Sequence, residues 1–254
     1  MSDPLLNIDN ISVQFGGLRA VHQVSFAIGR GEIVGLIGPN GAGKTTIFNC
    51  LCGVVRASSG RIAFNGADIS GKPTEEIARL GIARTFQNVR LFGEISLRDN
   101  VMMGSYRSGS SGILASMVRF GLHNRLERKA AQEAERWIGE LGLSEHADIQ
   151  ATVLPFGLQR VAEIARAMAS DPLLVLLDEP AAGLNEREKQ RLVEMLKKIV
   201  RETSASILLV EHNMPLIMGL VDRIVVLDFG CKIAEGKPDE IRRNPAVIEA
   251  YLGV

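Results

Sequence analysis

The sequence has few aromatic residues and few cysteines, no excess charge of either sign and no long apolar run. Three cysteines among 254 residues cannot form a disulfide framework, which predicts that the protein resides in a reducing compartment. A membrane-spanning helix needs roughly 20 consecutive apolar residues. The longest candidate, residues 214–221, contains a proline and is followed by Asp222. With no basic and apolar leader evident, these absences predict a cytoplasmic chain.

The charge balance excludes two further classes. Lys and Arg together number 29, and Asp and Glu together number 29, so the formal net charge is zero. A dedicated nucleic-acid-binding protein is usually strongly basic. Intrinsic disorder requires low hydrophobicity with high net charge, whereas 46% of these residues are hydrophobic. We therefore expect a folded chain with no nucleic-acid partner.

What is present is a rhythm of short apolar runs separated by helix-length segments. The first third also shows the alternation of a half-buried antiparallel sheet, and residues 124–141 show helical spacing. This pattern predicts an α/β fold with a parallel sheet covered by helices on both faces and an inserted helical part. The strands predicted for the parallel sheet include residues 32–37, 173–177, 207–210 and 224–227.

A glycine-rich segment follows the first of these strands. Residues 38–45 read G-P-N-G-A-G-K-T and fit G-x-x-x-x-G-K-[ST] without deviation, before a predicted helix over residues 43–51. Such a loop turns several N–H groups toward one anion, and the helix adds its positive end. Lys44 is predicted to hold the β- and γ-phosphates and Thr45 to bind Mg²⁺. The predicted ATP-binding residues here are Gly38, Pro39, Asn40, Gly41, Ala42, Gly43, Lys44, Thr45 and Thr46.

Two acidic residues end the apolar run that begins at residue 173. Asp178 is predicted at the carboxyl end of this strand, where ligands bind in open α/β sheets and where an acid orients the Mg²⁺ shell. Glu179 follows and is predicted to act as general base on the attacking water. The alternative is a pair of solvated acids, which is less favoured beside a complete phosphate loop.

Between these motifs, residues 154–160 read L-P-F-G-L-Q-R. This segment resembles the signature motif of ATP-binding cassette (ABC) ATPases. Gln87 in T-F-Q-N resembles the Q-loop glutamine, Asn185 in A-G-L-N lies in a segment similar to the D-loop, and His212 in V-E-H-N resembles the switch histidine. Phe15 in Q-F-G-G resembles the aromatic residue that stacks on adenine. The resemblance covers essentially the whole chain.

The resemblance implies a P-loop NTPase fold of the ABC-ATPase type, in one domain over residues 1–254. A RecA-like core and an antiparallel β subdomain are expected in residues 1–87 and 156–254. An inserted helical subdomain is expected at about residues 88–155. The active unit is expected to be a head-to-tail dimer that holds ATP between two chains.

The resemblance also implies roles for single residues. Glu179, His212 and Gln87 are the expected catalytic residues, with His212 contacting the γ-phosphate. Thr45, Gln87 and Asp178 are expected around Mg²⁺. ATP and Mg²⁺ are therefore the expected cofactors.

The signature departs from its common form, Leu-Ser-Gly-Gly-Gln. Pro155, Phe156 and Leu158 replace the serine, the first glycine and the glutamine, and Asn185 replaces the usual D-loop aspartate. We expect the composite site completed by this signature to be weak, which favours pairing with a second ATPase that has the standard motif. The residues expected to face the partner's nucleotide are Leu154, Pro155, Phe156, Gly157, Leu158 and Asn185.

Longer segments narrow the resemblance to the longer of the two ATPases of branched-chain amino acid importers. They include R-T-F-Q-N-V-R-L-F, L-D-E-P-A-A-G-L-N and N-P-A-V-I-E-A-Y-L-G, with an extra stretch at about residues 104–128. The implied partners are two transmembrane permease subunits, a second ABC ATPase and, indirectly, an external substrate-binding protein. The implied location is peripheral, on the cytoplasmic face of the membrane.

Three alternatives stay open from the sequence. In the first two alternatives, the chain powers the import of urea or an amide, or the export of a lipid, instead of the import of a branched-chain amino acid. A non-transport ABC ATPase is less favoured, because such proteins usually carry two cassettes or a long coiled-coil insertion. Leu91 and Phe92 either line a groove for a permease helix or belong to the core of the helical subdomain.

Overall fold

A computed structural model of the protein describes residues 3–87, 89–105 and 120–252. Most of the extra stretch expected at residues 104–128 therefore lies outside the described residues. No helix in the described part of the chain combines the length and apolarity needed to cross a membrane.

The first part of the chain forms an antiparallel sheet of four strands in the order β2-β1-β4-β5. Buried and exposed residues alternate along β1, as expected for a sheet that covers a core on one face. The turn between β1 and β2 pairs Phe15 with Leu18 and leaves both side chains exposed. The strands are β1 (Leu6–Phe15), β2 (Leu18–Ile28), β4 (Ser59–Phe64) and β5 (Ala67–Asp68).

The second sheet has six strands in the order β10-β9-β3-β8-β7-β6. Its inner strands β3, β7 and β8 are buried at every position, as parallel strands covered on both faces must be. The parallel sheet predicted from sequence is thus confirmed except at one edge, where β10 folds back antiparallel on β9. The strands are β3 (Ile33–Ile37), β6 (Ile82–Arg84), β7 (Leu174–Asp178), β8 (Ser206–Val210), β9 (Arg223–Asp228) and β10 (Cys231–Gly236).

Nine helices lie in the described residues, together with short 3-10 turns at Ser144–His146 and Ala151–Val153. The predicted helix after the glycine-rich loop is confirmed as α1, and the predicted helix over residues 124–141 is confirmed as α4. The helices are α1 (Lys44–Leu51), α2 (Thr74–Leu80), α3 (Leu97–Gly104), α4 (Phe120–Glu140), α5 (Phe156–Met168), α6 (Glu186–Thr203), α7 (Met214–Leu220), α8 (Pro238–Arg242) and α9 (Pro245–Leu252).

Helices α3, α4 and α5 pack on one another, and Leu97, Trp137 and Ile164 belong to one buried cluster. Gly104 at the end of α3 approaches α5 so closely that a Cβ there would overlap the carbonyl oxygen of Arg166. Helix α5 therefore joins the helices at the middle of the chain to strand β7, which follows it.

The carboxyl ends of β3, β7 and β8 meet at one edge of the six-stranded sheet because these strands run parallel. The loop of residues 38–43 follows β3, Glu179 follows β7, and Glu211 and His212 follow β8. Ligands bind at this edge in open α/β sheets, so the topology brings the predicted site residues together.

Candidate nucleotide and hydrolysis site

The glycine-rich loop is shaped by close backbone contacts. Gly38, Gly41 and Gly43 all adopt positive φ, at 151°, 82° and 99°. A Cβ at Gly43 would lie 2.7 Å from the carbonyl oxygen of Ala20, and one at Gly38 would overlap that of Leu227. Only glycine fits these positions, which explains the spacing of the motif.

Helix α1 begins at Lys44, and no side chain caps its first turn. The first N–H groups of a helix lack partners within the helix and carry its positive dipole, so this end suits a phosphate. Lys44 is only 6% exposed, and its ammonium group donates to the carbonyl oxygens of Gly38 (2.7 Å) and Pro39 (2.8 Å). Burial lowers the pKa of Lys44, while the nearby carboxylates of Glu179 and Asp178 oppose that shift.

Two predicted catalytic residues, Gln87 and His212, converge on the carboxylate of the third, Glu179. Glu179 Oε2 accepts a hydrogen bond from Gln87 Nε2 at 3.0 Å, and Glu179 Oε1 lies 3.1 Å from His212 Nε2. Glu179 itself adopts a positive φ of 48°, a conformation that side chains larger than glycine rarely adopt. Gln87 and Glu179 are 92 residues apart in sequence, and Glu179 and His212 are 33 residues apart. The fold brings all three together beside the phosphate loop.

Asp178 is held by a residue that the sequence analysis did not single out. Its side chain is 9% exposed, and its Oδ2 accepts from Arg84 Nη2 at 3.0 Å. Arg84 ends β6, also donates to Asn49 Oδ1 at 2.7 Å, and lies with its guanidinium 5.2 Å from the ring centre of Phe86. Its position directly before T-F-Q-N is the sequence feature that could have indicated Arg84.

Glu211 is a second residue that the sequence analysis missed. It is 4% exposed and accepts from the backbone N–H groups of Ala181 (2.8 Å), His212 (2.9 Å) and Asn213 (3.2 Å). It therefore joins the segment after β7 to the segment that carries His212. An acid that directly follows a mostly apolar strand was the available indication.

Helix α9 brings a third unexpected residue to the loop. Burial raises the pKa of Tyr251, and the nearby backbone of Gly38 opposes that shift. The side chain lines a pocket together with Met214 and Pro215 of α7, which follows the segment of His212. Tyr251 of α9 thus lies near both the phosphate loop and α7.

The signature segment surrounds the start of α5, whose first turn no side chain caps. Phe156 is 46% exposed; a Cβ on Gly183 would lie 2.8 Å from its ring, and the Arg160 guanidinium lies 5.3 Å from its ring centre. Leu158, which replaces the glutamine of the common signature, packs against the main buried cluster, and Leu154 is buried. Pro155 precedes the helix and Gly157 lies half-buried within its first turn.

Asn185 caps helix α6. Its side chain accepts from the N–H of Glu188 at 3.0 Å, and the Glu188 carboxylate accepts from the N–H of Asn185 at 2.8 Å. This reciprocal pair is a capping box, which the sequence spacing N-x-x-E indicates. The amide that replaces the expected aspartate therefore has a structural role.

The remaining predicted residues lie at the end of β1, in the phosphate loop and in the first turn of α1. Phe15 is half-exposed at the end of β1, where a flat apolar face is open to a purine ring. Thr45 is exposed in the first turn of α1, and Thr46 is half-buried beside it. Asn40 and Gly41 form the exposed crest of the phosphate loop, and Ala42 is buried beneath it.

Two family profiles and several proteins of known description are similar to this chain. A family profile described as "ABC transporter" matches residues 21–182, and one described as "Branched-chain amino acid ATP-binding cassette transporter" matches residues 231–254. The chain is 44% identical over 253 residues to the high-affinity branched-chain amino acid transport ATP-binding protein LivG of Escherichia coli K12, covering 100% of this chain and 99% of LivG. The same identity and coverage hold for BraF of Pseudomonas aeruginosa, which bears the same description.

Two solved structures share the fold. One is a nucleotide-free ATP-binding cassette from an ABC transporter, 29% identical, with a TM-score of 0.86 and coverage of 99% of this chain and all of that one. The other is an ATP-binding cassette in its ADP conformation, 28% identical, with the same TM-score and full coverage of both chains.

Proposed function

The chain belongs to the ABC transporter family, whose ATP-binding subunits hydrolyse ATP, and we propose that it powers the import of branched-chain amino acids through separate permease subunits. The observation that carries the enzymatic part is the convergence of Gln87 and His212 on the two oxygens of Glu179, beside a complete phosphate loop. The solute is proposed from the names of relatives that match the chain end to end.

The proposed hydrolysis divides the work among these side chains. Glu179 accepts a proton from the attacking water, and Gln87 orients that water through its amide. Lys44 and the N–H groups at the start of α1 stabilise the negative charge of the β- and γ-phosphates. His212 hydrogen-bonds the γ-phosphate, and Phe15 stacks on the adenine ring.

The residues around the phosphate loop fit Mg²⁺. Thr45, Asp178 and Gln87 offer a hydroxyl, a carboxylate and an amide oxygen, and oxygen ligands are what this hard cation prefers. We propose that these three residues hold the ion directly or through water. When bound, Mg²⁺ neutralises charge on the phosphates.

The nucleotide is proposed to lie between two chains, with the signature of one chain facing the nucleotide of the other. In this chain the residues proposed to face the partner's nucleotide are the exposed Pro155, Phe156 and Asn185, together with Leu154, Gly157 and Leu158 behind them. We propose that the partner is a second, different ABC ATPase.

An ABC transporter subunit of this kind works with membrane permeases. We propose two permease subunits, an external binding protein and a peripheral location on the cytoplasmic face. Phe92 is 54% exposed and lines a groove with Val54, Met103 and Arg166, whereas Leu91 packs against the main core. Of the two residues, Phe92 therefore suits a permease helix.

The proposed helical subdomain comprises residues 88–155, inserted between residues 1–87 and 156–254.

The test is transport in a reconstituted system. The chain is co-purified with its permease partners, placed in vesicles with the binding protein, and supplied with ATP and labelled leucine. ATP-dependent uptake of leucine is expected. Lys44→Ala is expected to remove most of the ATP affinity of this chain and to abolish uptake by the complex. Uptake of urea, an amide or a lipid instead, with leucine inert, would overturn the proposed solute.

A further inference from the structure

Helix α5 carries a buried group of charges that none of the roles above uses. Arg160 and Glu163 are 3% and 2% exposed, and Arg160 Nη1 lies 3.3 Å from Glu163 Oε2. Arg166 Nη2 lies 3.8 Å from the other oxygen of Glu163. Burial raises the pKa of Glu163 and lowers that of Arg166. Buried charges are costly unless they are paired and hydrogen-bonded, so the remaining contacts of this group indicate its purpose.

The hydrogen bonds that Arg160 and Glu163 make outside this charged group go to the backbone of Gln87 and of residues on either side of it. Arg160 donates to the carbonyl oxygens of Phe86, at 2.7 Å, and of Gln87. Glu163 Oε1 accepts from the N–H groups of Phe86 (3.4 Å) and Arg90 (3.3 Å). Helix α5 therefore holds the segment before and after Gln87 through donors and acceptors together.

The hydrogen bonds of the Arg160 guanidinium are made mainly with the backbone of the Gln87 segment. Its Nε is buried and has no hydrogen-bond partner among the described residues, while its terminal nitrogens contact two carbonyl oxygens and Glu163. The guanidinium thus binds the backbone of the Gln87 segment, although this position leaves its Nε–H without a hydrogen-bond partner.

From this position the Gln87 side chain extends to Glu179, 3.0 Å away. We propose that Arg160 and Glu163 are positioning residues for ATP hydrolysis, which act by fixing the backbone of Gln87 so that its amide meets Glu179 and the attacking water. This inference rests on the proposed hydrolytic roles. It adds that the placement of Gln87 is set by helix α5 and not by the strand β6 that precedes it.

The test is a double-mutant cycle on ATP hydrolysis in the assembled transporter. Arg160→Lys keeps a partner for Glu163 but loses one carbonyl contact, and Glu163→Ala removes the carboxylate oxygen that accepts from the N–H groups of Phe86 and Arg90. Each is expected to lower kcat by roughly 10-fold, since small misplacements of reacting groups are costly, with the KM for ATP within about two-fold of the starting value. Glu163→Gln retains an acceptor oxygen and is expected to lose less than Glu163→Ala.

The decisive readout is the combination with Gln87→Ala. If Arg160 and Glu163 act through Gln87, adding either variant to Gln87→Ala lowers kcat no further. Glu202→Gln removes the carboxylate of an exposed pair with Lys198 on α6 and serves as the control with unchanged kinetics.

Multiplicative losses in the double variants would overturn the proposal, as would single variants of unchanged kcat. It would also be wrong if both variants lowered the unfolding temperature and weakened nucleotide binding in parallel with kcat, because the role would then be structural. A starting complex that does not hydrolyse ATP would instead contradict the proposed function.

Discussion

At the scale of single residues, the site is held together by contacts between residues that lie far apart in sequence. Glu179 contacts Gln87 and His212, and Asp178 is paired with Arg84. Glu211 accepts from three backbone N–H groups in the segments after β7 and β8. Each partner comes from a different strand end, so each contact depends on the sheet order. A change at Gln87 or His212, whose side chains are exposed, should therefore affect chemistry more than the fold.

The first prediction concerns Glu179→Gln. The amide keeps the size and a hydrogen-bonding oxygen but cannot accept the proton of water, so hydrolysis is expected to fall by at least ~10²-fold. ATP binding is expected to remain, which fluorescent-nucleotide titration measures beside phosphate release. Glu194→Gln, at an exposed position on α6, is the matched control. Full activity of Glu179→Gln would contradict the general-base role.

The second prediction concerns the cysteines. Burial raises the pKa of Cys50 to about 11, and burial also raises the pKa of Cys52. Since only the thiolate is nucleophilic, about one Cys50 in a thousand is reactive at pH 8. With iodoacetamide at pH 8, mass spectrometry is expected to find the partly exposed Cys231 labelled well before the other two. Equal rates in the folded protein would contradict the burial of Cys50.

At the scale of elements, the sequence predicted more of the fold than of the site. The apolar runs predicted β3, β7, β8 and β9, and the glycine-rich motif predicted the loop and helix α1. Strand β6 was missed because three residues, Ile82–Arg84, are too short to show a period. Its pairing with β7 is a tertiary effect.

The same limit applies to the functional contacts that were missed. Arg84 with Asp178, and Arg160 with the backbone of Gln87, join residues 94 and 73 positions apart. Local spacing carries no information about such pairs. Asn185 is the opposite case, because its local spacing to Glu188 does predict a capping box. The sequence analysis compared Asn185 only with the usual aspartate and did not use that spacing.

The third prediction follows from that capping box. Asn185→Ala removes the acceptor for the N–H of Glu188 and is expected to cost about 1 kcal/mol in the free energy of unfolding. For a chain of this size that lowers the unfolding temperature by roughly 2–4 °C in a thermal scan. Asn185→Asp keeps a good cap and is expected to retain the stability. An unchanged unfolding temperature for Asn185→Ala would show that the cap is not stabilising.

At the scale of the whole molecule, the departures in the signature bear on assembly. Pro155 offers no hydroxyl at the start of α5, and the Phe156 ring occupies space beside Gly183 that a small residue would leave open. A nucleotide held against this surface therefore has fewer hydrogen-bond donors than the common motif provides.

The fourth prediction is that the chain alone hydrolyses ATP more slowly than a mixed dimer with an ATPase that carries the standard signature. Loss of a single donor to a transition-state charge costs a large factor, so a difference of roughly 10-fold or more is expected in phosphate release at equal site concentration. Pro155→Ser restores a hydroxyl at the start of α5 and is expected to raise the activity of the chain alone. Full activity of the unmodified chain alone would contradict this prediction.

The edges of the six-stranded sheet have a consequence for handling the protein in solution. An exposed strand edge is a template on which further chains add and aggregate, and short or charged edges prevent this. One edge here is β6, with only three residues. The other is β10, where Glu235 is paired with both Arg223 and Lys232. Neither edge offers a long apolar strand to a neighbour, so we expect little edge-to-edge pairing between copies of this sheet in solution.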